Sequence, residues 1–399
     1  MNLRVICICT GVGFPTGMAT TQTIVLIGRA LVELGVPVTV LHCGPHPYLK
    51  SIPRAGESNG IAYRYLGPTT RRPTQQYLRG FLYLAAYIEL AYVLTRMCAT
   101  AKPVPTALCV HVQGRLLNAY ISLLSCLLRL PVIIEACEWE PEIPGTSKVV
   151  CWIYQKLMFR FSAGAIVISR SIQERILALR VHQARPYPMY RRPALVDPSE
   201  FLDVTRGPAG DRRLVWCGDV TGYLRDVLFL IAVTAALRDS VTPCTLEVVG
   251  PVSADSMAAI MRCCEHVGLP TAQLRILGYV KRDDLLRICQ TASALIQPLW
   301  DDARSKTRLP NKLGEFLMSG RPVVTCSIGD VGEYLTDGEN AVFYQPGDVV
   351  NCAQAIATLL SDPVKARAIG LAGRAFAEQT LSYKQHGAAL VRLFAAVAK

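Results

Sequence analysis

Short apolar runs that resemble buried strands alternate with longer segments of helical periodicity along almost the whole chain. Residues 3–9, LRVICIC, form the first such run, and residues 20–35 then carry apolar side chains at helical spacing until Gly35. Residues 36–44, VPVTVLHCG, have the pattern of the next strand. A strand, a helix and a second strand in this order form a βαβ unit, so the pattern predicts a parallel α/β sheet covered by helices on both faces.

The alternation occurs in two blocks, which predicts two doubly wound domains. A segment rich in proline and arginine, ARPYPMYRRPALVDPSEF, separates the blocks and is typical of a connection between domains. Because ligands of such sheets bind at the carboxyl ends of the strands, we expect a cleft between the two halves. The predicted parts are an N-terminal domain at 1–190, a linker at 191–205, a C-terminal domain at 206–385 and a helix at 386–399 that packs back on the first domain.

Composition limits the partners that such a chain can serve. The 15 cysteines are scattered, mostly inside apolar runs, where cysteine acts as a small hydrophobe; we expect a reducing cytoplasm, no disulfide framework and no metal site. The net charge of +12 favours an anionic partner, such as a phosphorylated substrate or an acidic membrane surface, over nucleic acid. The N-terminus shows no signal-peptide pattern.

Two long apolar stretches are the candidates for membrane-spanning helices. Residues 81–94 are interrupted by Glu89, and residues 119–134 by Arg129 and Pro131. Both fall short of the roughly 20 uninterrupted apolar residues that a spanning helix needs. The sequence therefore predicts buried helices and a strand in these stretches.

The segment RLPNKLGEFLMSGRPVV contains a short predicted helix with one glutamate. Leu313, Phe316 and Leu317 form its core face, Pro310 begins the helix and Gly320 ends it. Glu315 lies beside the apolar stripe. A single helix glutamate is most often exposed to solvent, so the pattern alone favours a solvated glutamate over a functional one.

The run from residue 274 to 341 resembles the donor-nucleotide half of a family four glycosyltransferase. A strand ending in glycine, a helix that begins with acidic residues and a strand ending in proline are followed by the motifs P-(T/N)-K-L-x-E-(Y/F), G-x-P-V-V and D-G-x-N-A, in the order of that family. The resemblance covers the C-terminal half closely and the N-terminal half loosely. It implies an α/β chain of the GT-B fold, with two Rossmann-like doubly wound domains that face a central cleft.

By this resemblance Glu315 hydrogen-bonds the ribose hydroxyls of a sugar nucleotide. A carboxylate suits that role because it accepts two hydroxyl donors at once. The backbone N–H groups at the start of the helix, from Leu309 through Asn311 to Lys312, would point at the diphosphate with the helix dipole behind them. The Lys312 side chain either adds positive charge there or faces solvent.

The segment WCGDVTGYLRD, residues 216–226, resembles the glycine loop of the family. The resemblance gives Gly218 the close approach to the diphosphate and Arg225 the contact with it, although an ordinary arginine at a helix start fits the spacing equally well. Backbone at Tyr279 and Val280 would recognise the base. Arg282 and Asp283 follow where the chain turns past it.

The sequence departs from the family pattern at two positions. Thr307 stands where many members carry a glutamate that contacts the donor sugar, and Asp219 stands where some have a second arginine. Sugar recognition must therefore be arranged differently. The candidate substitutes are Ser305, Lys306 and Arg308.

The N-terminal half supplies the weaker candidates. Gly17, in the loop GVGFPTGMATTQ, resembles the residue at which the backbone approaches the phosphate. His111 or Gln113, at the end of a strand, would contact an acceptor hydroxyl, whereas the alternative for His111 is a histidine bonded to backbone. Among the glutamates of PVIIEACEWEP, Glu138 is the first acceptor-side candidate and Glu140 is expected to face solvent; Glu135 also lies at this strand end.

We therefore expect a retaining glycosyltransferase that moves a sugar from a UDP- or GDP-sugar to a hydroxyl of a carbohydrate or lipid-linked saccharide. The family works without metal or other cofactor, with positive charge stabilising the leaving diphosphate; the catalytic candidates are Arg225, Lys312, Glu138 and His111. We expect a cytoplasmic protein that serves surface or secreted polysaccharide synthesis. The helix at 151–161 either rests against an anionic membrane or covers the sheet.

Two alternatives remain open. A sugar-nucleotide epimerase of the same fold would need carboxylates that converge on the sugar, and the missing glutamate at Thr307 disfavours it. A catalytically silent sugar-nucleotide-binding or scaffold subunit is compatible with both Thr307 and Asp219. A nicotinamide dehydrogenase is disfavoured because neither half contains the dinucleotide fingerprint.

Overall fold

The computed structural model describes residues 3–47, 52–99, 104–112, 115–143, 145–201, 212–237 and 244–398. The chain divides into two compact units. Unit 1 contains residues 1–195 together with 383–399, and unit 2 contains residues 196–382. Gln113 lies outside the described residues.

Unit 1 is built on one sheet of eight strands in the order β3-β4-β2-β1-β5-β6-β7-β8. Every pairing is parallel except that of β3 with β4. The strands are β1 (Arg4–Thr10), β2 (Val38–Cys43), β3 (Ala55–Ser58), β4 (Ile61–Leu66), β5 (Thr106–Val112), β6 (Val132–Ala136), β7 (Gly164–Val167) and β8 (Met189–Arg191).

Helices cover this sheet, as expected for parallel strands that are buried on both faces. In unit 1 they are α1 (Ala19–Val32), α2 (Gln76–Cys98), α3 (Arg115–Leu128), α4 (Lys148–Trp152), a π-helical segment (Ile153–Met158), α5 (Phe159–Phe161), α6 (Arg170–Leu177) and α7 (Arg180–Ala184). Tyr154 and Phe159 of the segment 151–161, which was expected either to cover the sheet or to rest on a membrane, are buried against Trp139. Most of that segment's aromatic surface thus covers unit 1 itself.

Unit 2 has a parallel sheet of six strands in the order β11-β10-β9-β12-β13-β14. The strands are β9 (Arg213–Cys217), β10 (Thr245–Val249), β11 (Leu274–Gly278), β12 (Ala294–Ile296), β13 (Val323–Thr325) and β14 (Val342–Phe343). The helices are α8 (Leu224–Leu237), α9 (Ala254–Val267), α10 (Arg282–Thr291), α11 (Ala303–Thr307), α12 (Asn311–Met318), α13 (Val331–Tyr334), α14 (Val349–Ser361) and α15 (Pro363–Phe376). A last helix, α16 (Tyr383–Val397), belongs to unit 1.

The unit boundaries differ from the predicted domain boundaries by a few residues. The first crossing falls at Leu195 and Val196, inside the predicted linker, and the return falls at Ser382 and Tyr383. Leu195 and Val196 are buried, so the segment packs as part of the units. Its proline and arginine content indicated a crossing between domains, and the packing of that crossing is not visible in the sequence.

Helix α16 is a core element of unit 1. It packs along α1, and Leu390 and Phe394 are buried in the same apolar cluster as Ile24 and Ile27 of α1. Arg29 donates a hydrogen bond to the Tyr383 hydroxyl at 2.7 Å. The core of unit 1 is therefore completed by residues that are distant in sequence from the rest of the unit.

The helix predicted at 81–94 is present, but the expectation that it is buried is wrong. The structure has a continuous helix of 23 residues, α2, and only a narrow stripe of it is buried. Glu89 does not interrupt the helix, because its carboxylate accepts hydrogen bonds from Arg54 and Arg64 and from the backbone N–H of Gly67. A carboxylate paired in this way keeps its charge inside an apolar segment.

Candidate active site

Glu315 is buried in unit 2, between two cations. Helix α12 buries Leu313, Phe316 and Leu317 as predicted, and this packing also removes the neighbouring Glu315 from solvent. Its Oε1 accepts a hydrogen bond from Arg282 Nη1 at 2.8 Å, and its Oε2 accepts one from Lys312 Nζ at 2.6 Å. The glutamate is therefore held in place from both sides.

Arg282 connects Glu315 to a second carboxylate. Its Nε donates to Glu200 Oε1 at 3.0 Å, and its Nη2 bonds the other oxygen of Glu200. The guanidinium thus binds Glu200 along one edge and Glu315 with its remaining nitrogen. Sequence reasoning missed Glu200, which lies 82 positions from its partner and carries no motif.

Glu315 and the two cations that contact it, Lys312 and Arg282, are ionised at neutral pH. Burial raises the pKa of Glu315, but the effect of Lys312 and Arg282 is larger and lowers that pKa to about 2. Burial lowers the pKa of Lys312, and Glu315 more than offsets this, so that it rises above its usual value. Each Glu315 oxygen uses one lone pair on a cation and keeps another. The carboxylate can therefore still accept two hydroxyl groups from a ligand.

The start of α12 is suited to an anion. Pro310 occupies the N-cap position without a capping side chain, and the first turn contains no acidic residue. Leu309 is buried, and Asn311 and Lys312 form the first turn. The N–H groups of a helix start carry partial positive charge. A phosphate at this position would complete the helix end, with Lys312 beside it.

A second group of cations surrounds two aromatic rings in unit 2. The guanidinium of Arg225 lies 3.5 Å from the centre of the Trp300 ring, and its Nη1 lies 3.3 Å from Asp302 Oδ2. Arg304 and Arg308 lie over the ring of Tyr223 at 4.8 and 4.7 Å. Such stacking holds guanidiniums in fixed planes. The predicted diphosphate-binding Arg225 is thus one of three arginines in this arginine cluster: Arg225, Arg304 and Arg308.

Gly218 directly follows β9 and lies beside a close contact between two backbone segments. Its N–H donates to the carbonyl of Val249 at 2.9 Å. A Cβ on Gly250 would lie 1.7 Å from the Gly218 carbonyl oxygen, so this approach requires glycine. Asp219 Oδ1 accepts from the N–H of Thr221 at 3.1 Å, which gives the residue a role in shaping the turn. This accounts locally for an acid where some family members have arginine.

Tyr279 and Val280 form the loop between β11 and α10, directly before Arg282. Tyr279 is half exposed. Because the Arg282 side chain reaches Glu315, the loop and the glutamate are joined through one residue. This is the geometry expected if the loop recognises a base attached to the ribose that Glu315 binds.

The residues around Thr307 are largely engaged within unit 2. Thr307 is buried and its hydroxyl donates to the carbonyl of Arg304 at 3.1 Å. Ser305 Oγ accepts from the N–H of Trp300 at 3.2 Å. Lys306 is exposed and pairs with Asp301. Of the proposed substitutes for the missing glutamate, Lys306 has the most exposed side chain, and Arg308 belongs to the arginine cluster.

His111 lies inside unit 1 and is fully buried. Its Nδ1 faces Glu135 Oε2, and its Nε2 lies 3.3 Å from Cys109 Sγ. Burial lowers the pKa of His111, but Glu135 and Cys7 raise it to about 9. Glu135 also accepts from Arg192 Nε at 2.9 Å and Nη2 at 2.6 Å. The partner of His111 is therefore a neighbouring strand-end carboxylate, and its role toward an acceptor stays a prediction.

Two of the strand-end candidates are separated by the structure. Glu135 points into unit 1 with His111, whereas Glu138 lies beyond the end of β6 and its backbone carbonyl accepts from the Tyr154 hydroxyl at 3.0 Å. The Glu138 side chain is half-buried. Sequence reasoning preferred Glu138 and assigned no role to Arg192, because the contact between Arg192, directly after β8, and Glu135 of β6 spans 57 positions.

The sulfur atoms of Cys7 and Cys109 and the His111 imidazole lie within 4.8 Å of one another and are buried. Cys7 faces Cys109 across β1 and β5 in register. A hydrogen bond with Cys109 is the main cause that lowers the pKa of Cys7 to about 6. These atoms could ligate a soft cation, but their contacts with one another already satisfy them.

The glycine loop after β1 is held by side chains that bind its backbone. Thr21 Oγ1 donates to the carbonyl of Gly13 at 2.6 Å, and the Tyr65 hydroxyl donates to the carbonyl of Phe14 at 2.7 Å. A Cβ on Gly17 would lie 2.1 Å from Thr21 Oγ1. Gly17 is thus required for the packing of the loop against α1, whatever ligand the loop approaches.

Comparisons with known proteins match both units. A family profile described as glycosyl transferase 4-like domain matches residues 18–188, and one described as glycosyl transferases group 1 matches residues 211–362. A glycogen synthase from Mycobacterium tuberculosis is 27% identical over 180 residues, which make up 43% of this chain and 41% of that protein. The chain therefore matches about two fifths of the length of this curated relative.

Solved structures of low sequence identity share the fold over almost the full chain. A sucrose-phosphate synthase from Thermosynechococcus elongatus has a TM-score of 0.74 at 16% identity and covers 98% of each chain. Anabaena HepE, solved in complex with UDP-glucose, has a TM-score of 0.68 at 15% identity, with 98% of this chain and 99% of that chain covered. The two parallel-sheet units are the Rossmann-like domains of the GT-B fold, and the chain belongs to the glycosyltransferases of family four.

Proposed function

We propose that the chain transfers a sugar from a UDP-sugar to a hydroxyl of a carbohydrate or lipid-linked saccharide, with retention of anomeric configuration. The observation that carries the proposal is the buried Glu315, which is ionised and clamped by Lys312 and Arg282. A buried carboxylate with spare lone pairs fits two vicinal hydroxyls, such as those of ribose. The UDP complex of HepE supports uridine over guanosine as the base.

The diphosphate would be bound by positive charge from three sources in unit 2. These are the start of α12, Lys312 and the arginine cluster, in which Arg308 directly precedes the loop to α12. Fixed positive charge of this kind stabilises a leaving diphosphate more in the transition state than in the ground state. The departing phosphate then takes the proton of the acceptor hydroxyl as the new glycosidic bond forms, so that no separate general base is required.

On the acceptor side we propose Glu138 as the first residue to test, since it lies past the carboxyl end of β6 and is half-buried. His111 would act through Glu135 and the strand end. We propose a saccharide of a surface or secreted polysaccharide as the acceptor. The protein would work in the cytoplasm.

A silent sugar-nucleotide-binding subunit is the second candidate. It is favoured by Thr307 and Asp219, both of which serve the local fold with their side chains. Such a subunit would bind the donor without turning it over. Binding and transfer must therefore be measured separately.

The first test is calorimetric titration with UDP, GDP and ADP. We expect UDP to bind most tightly. Glu315→Gln should weaken UDP binding by about tenfold to a hundredfold, because the ribose loses a charge-assisted hydrogen bond. Inorganic pyrophosphate is the reference ligand. Pyrophosphate has no ribose, and the loss of one negative charge beside Lys312 should not weaken its binding.

Glu247→Gln is the matched control. Glu247 is also buried in unit 2 and also bonds two arginines, Arg213 and Arg275, but it lies on β10 away from α12. If both variants lose UDP equally, or if no nucleotide binds to the wild type, the donor site is wrongly assigned. If UDP binds but radiolabelled sugar reaches no saccharide acceptor, the silent subunit becomes the better proposal.

A further inference from the structure

Helix α2 presents a long apolar face to solvent. Its buried stripe consists of Leu82, Ala86, Leu90 and Leu94, which are four residues apart and pack against β2 and β4. On the opposite side lies a second apolar stripe at helical spacing. These side chains are 57% to 75% exposed, and we call them the α2 face: Tyr77, Phe81, Leu84, Ile88 and Tyr92.

A surface helix normally has a polar outer side. The α2 helix has 23 residues, which corresponds to about 34 Å of length, and no charged side chain interrupts the α2 face. Helix α3 extends it, because Tyr120 stacks on Tyr87 with 5.8 Å between ring centres and donates to its carbonyl. Leu123 and Leu127 of α3 are exposed. Exposed apolar surface of this extent marks an interaction site.

The part of the sequence that contains the α2 face is strongly basic. Residues 68–134 contain seven lysines and arginines and one acid, Glu89. That acid is neutralised by Arg54 and Arg64. Arg72 before α2 and Arg96 in its last turn are exposed. The partner must therefore be apolar at its centre and negative at its rim.

A second copy of this chain does not meet that requirement, because it would bring the same positive charge to the contact. The surface of an anionic bilayer does: acyl chains accept apolar and aromatic side chains, and phosphate headgroups accept arginine. We propose that unit 1 docks on anionic lipid bilayers through the α2 face, with α2 lying along the membrane surface.

The helix lies on the bilayer and does not cross it. By length and hydropathy α2 could span a membrane, but its buried stripe packs on the sheet of unit 1 and Glu89, in its middle, is held by two arginines and a backbone N–H. Crossing the bilayer would break these contacts and uncover the sheet. Docking keeps them, and it would place the enzyme where lipid-linked acceptors are found.

The test is flotation of the purified full chain with vesicles of phosphatidylcholine alone or with phosphatidylglycerol, without nucleotide. We expect binding to the anionic vesicles, weakened at least about tenfold in the double variant Phe81→Gln/Ile88→Gln, since two apolar side chains leave the acyl region. The matched control is Val350→Gln/Val364→Gln, which replaces two equally exposed apolar residues in unit 2 and should bind as the wild type does. All positions are on the surface, and circular dichroism checks the fold.

The charge contribution has its own readout. Arg71→Gln/Arg72→Gln should weaken binding to anionic vesicles and leave the weak binding to phosphatidylcholine unchanged, and salt should reduce the difference. Absence of wild-type binding to anionic vesicles overturns the proposal, as does equal binding of the α2 variant. If the wild type does not bind vesicles and light scattering shows a dimer that Phe81→Gln/Ile88→Gln dissociates, the α2 face binds a second copy of the chain instead. UDP titration is independent of all these outcomes, so the proposed function can fail or hold separately.

Discussion

Replacing Glu135 with glutamine removes a negative charge that two buried cations of unit 1, Arg192 and His111, share. Glu135 accepts two hydrogen bonds from Arg192, at 2.9 and 2.6 Å, and its other oxygen faces His111. Neither cationic side chain has exposed area. Water therefore cannot replace the lost carboxylate, and the buried Arg192 guanidinium loses its ion pair with Glu135.

Breaking a buried ion pair by removing one partner costs about 3–5 kcal/mol. That is a large part of the roughly 5–15 kcal/mol that stabilises a folded domain. For a unit of this size each kcal/mol shifts the melting temperature by about 2–4 °C. We expect Glu135→Gln to lower the melting temperature of unit 1 by about 6–20 °C.

The assays are thermal and urea unfolding followed by circular dichroism at pH 7, with Glu247→Gln as the comparison. Glu247 is buried as well, but its partners Arg275 and Arg213 are 61% and 15% exposed, so water reaches both guanidiniums and the cost should be smaller, about 1–2 kcal/mol. Equal costs for the two variants would refute the argument that burial of the cations sets the penalty.

The same pair predicts a pH dependence. The folded-state pKa of His111, about 9, lies above the usual histidine value of 6.5, mainly because of Glu135. The pair of His111 and Glu135 therefore contributes its full stabilisation below about pH 6.5, and this contribution is lost as the pH rises through about 9. The stability difference between wild type and Glu135→Gln should narrow over this range. A constant difference from pH 6 to 10 would show that His111 does not titrate against Glu135.

Two further predictions concern the cores of the two units. Asp226 is buried in unit 2 and accepts a hydrogen bond from Trp300 Nε1 at 2.7 Å, and burial raises its pKa to about 6. The folded state therefore loses stability as the pH rises from about 4 to 6 and this carboxyl ionises. Asp226→Asn should raise the free energy of unfolding by about 2 kcal/mol at pH 8 and leave it unchanged below pH 4, as measured by urea titration at both pH values. Phe394→Ala should destabilise unit 1 by about 3–5 kcal/mol, since the ring is fully buried; hydrogen exchange should accelerate in β1 and β5 but not in β9 and β10.

Periodicity was sufficient to predict the two parallel sheets. The runs LRVICIC and VPVTVLHCG became β1 and β2, paired in parallel with Val5 opposite Val38. The motif around Glu315 likewise predicted both its helix and the core face of that helix. These features depend on local spacing, which a single sequence contains.

The contacts that complete the site could not be predicted in this way. Glu200 reaches Arg282 and Arg192 reaches Glu135 across 82 and 57 positions, and both come from the segment that was predicted only as a connection between domains. The same limitation explains α2. Glu89 was interpreted as an interruption because its partners Arg54 and Arg64 lie on another part of unit 1, and only the tertiary structure brings them together.

The return of the chain to unit 1 through α16 determines the order in which the protein can fold during synthesis. Unit 2 has all of its residues once position 382 has left the ribosome, whereas unit 1 still lacks Tyr383–Val397. Until then the apolar surface of α1 that receives Leu390 and Phe394 has no cover. Unit 1 therefore stays incomplete for longer than unit 2 during synthesis, although most of unit 1 is made first.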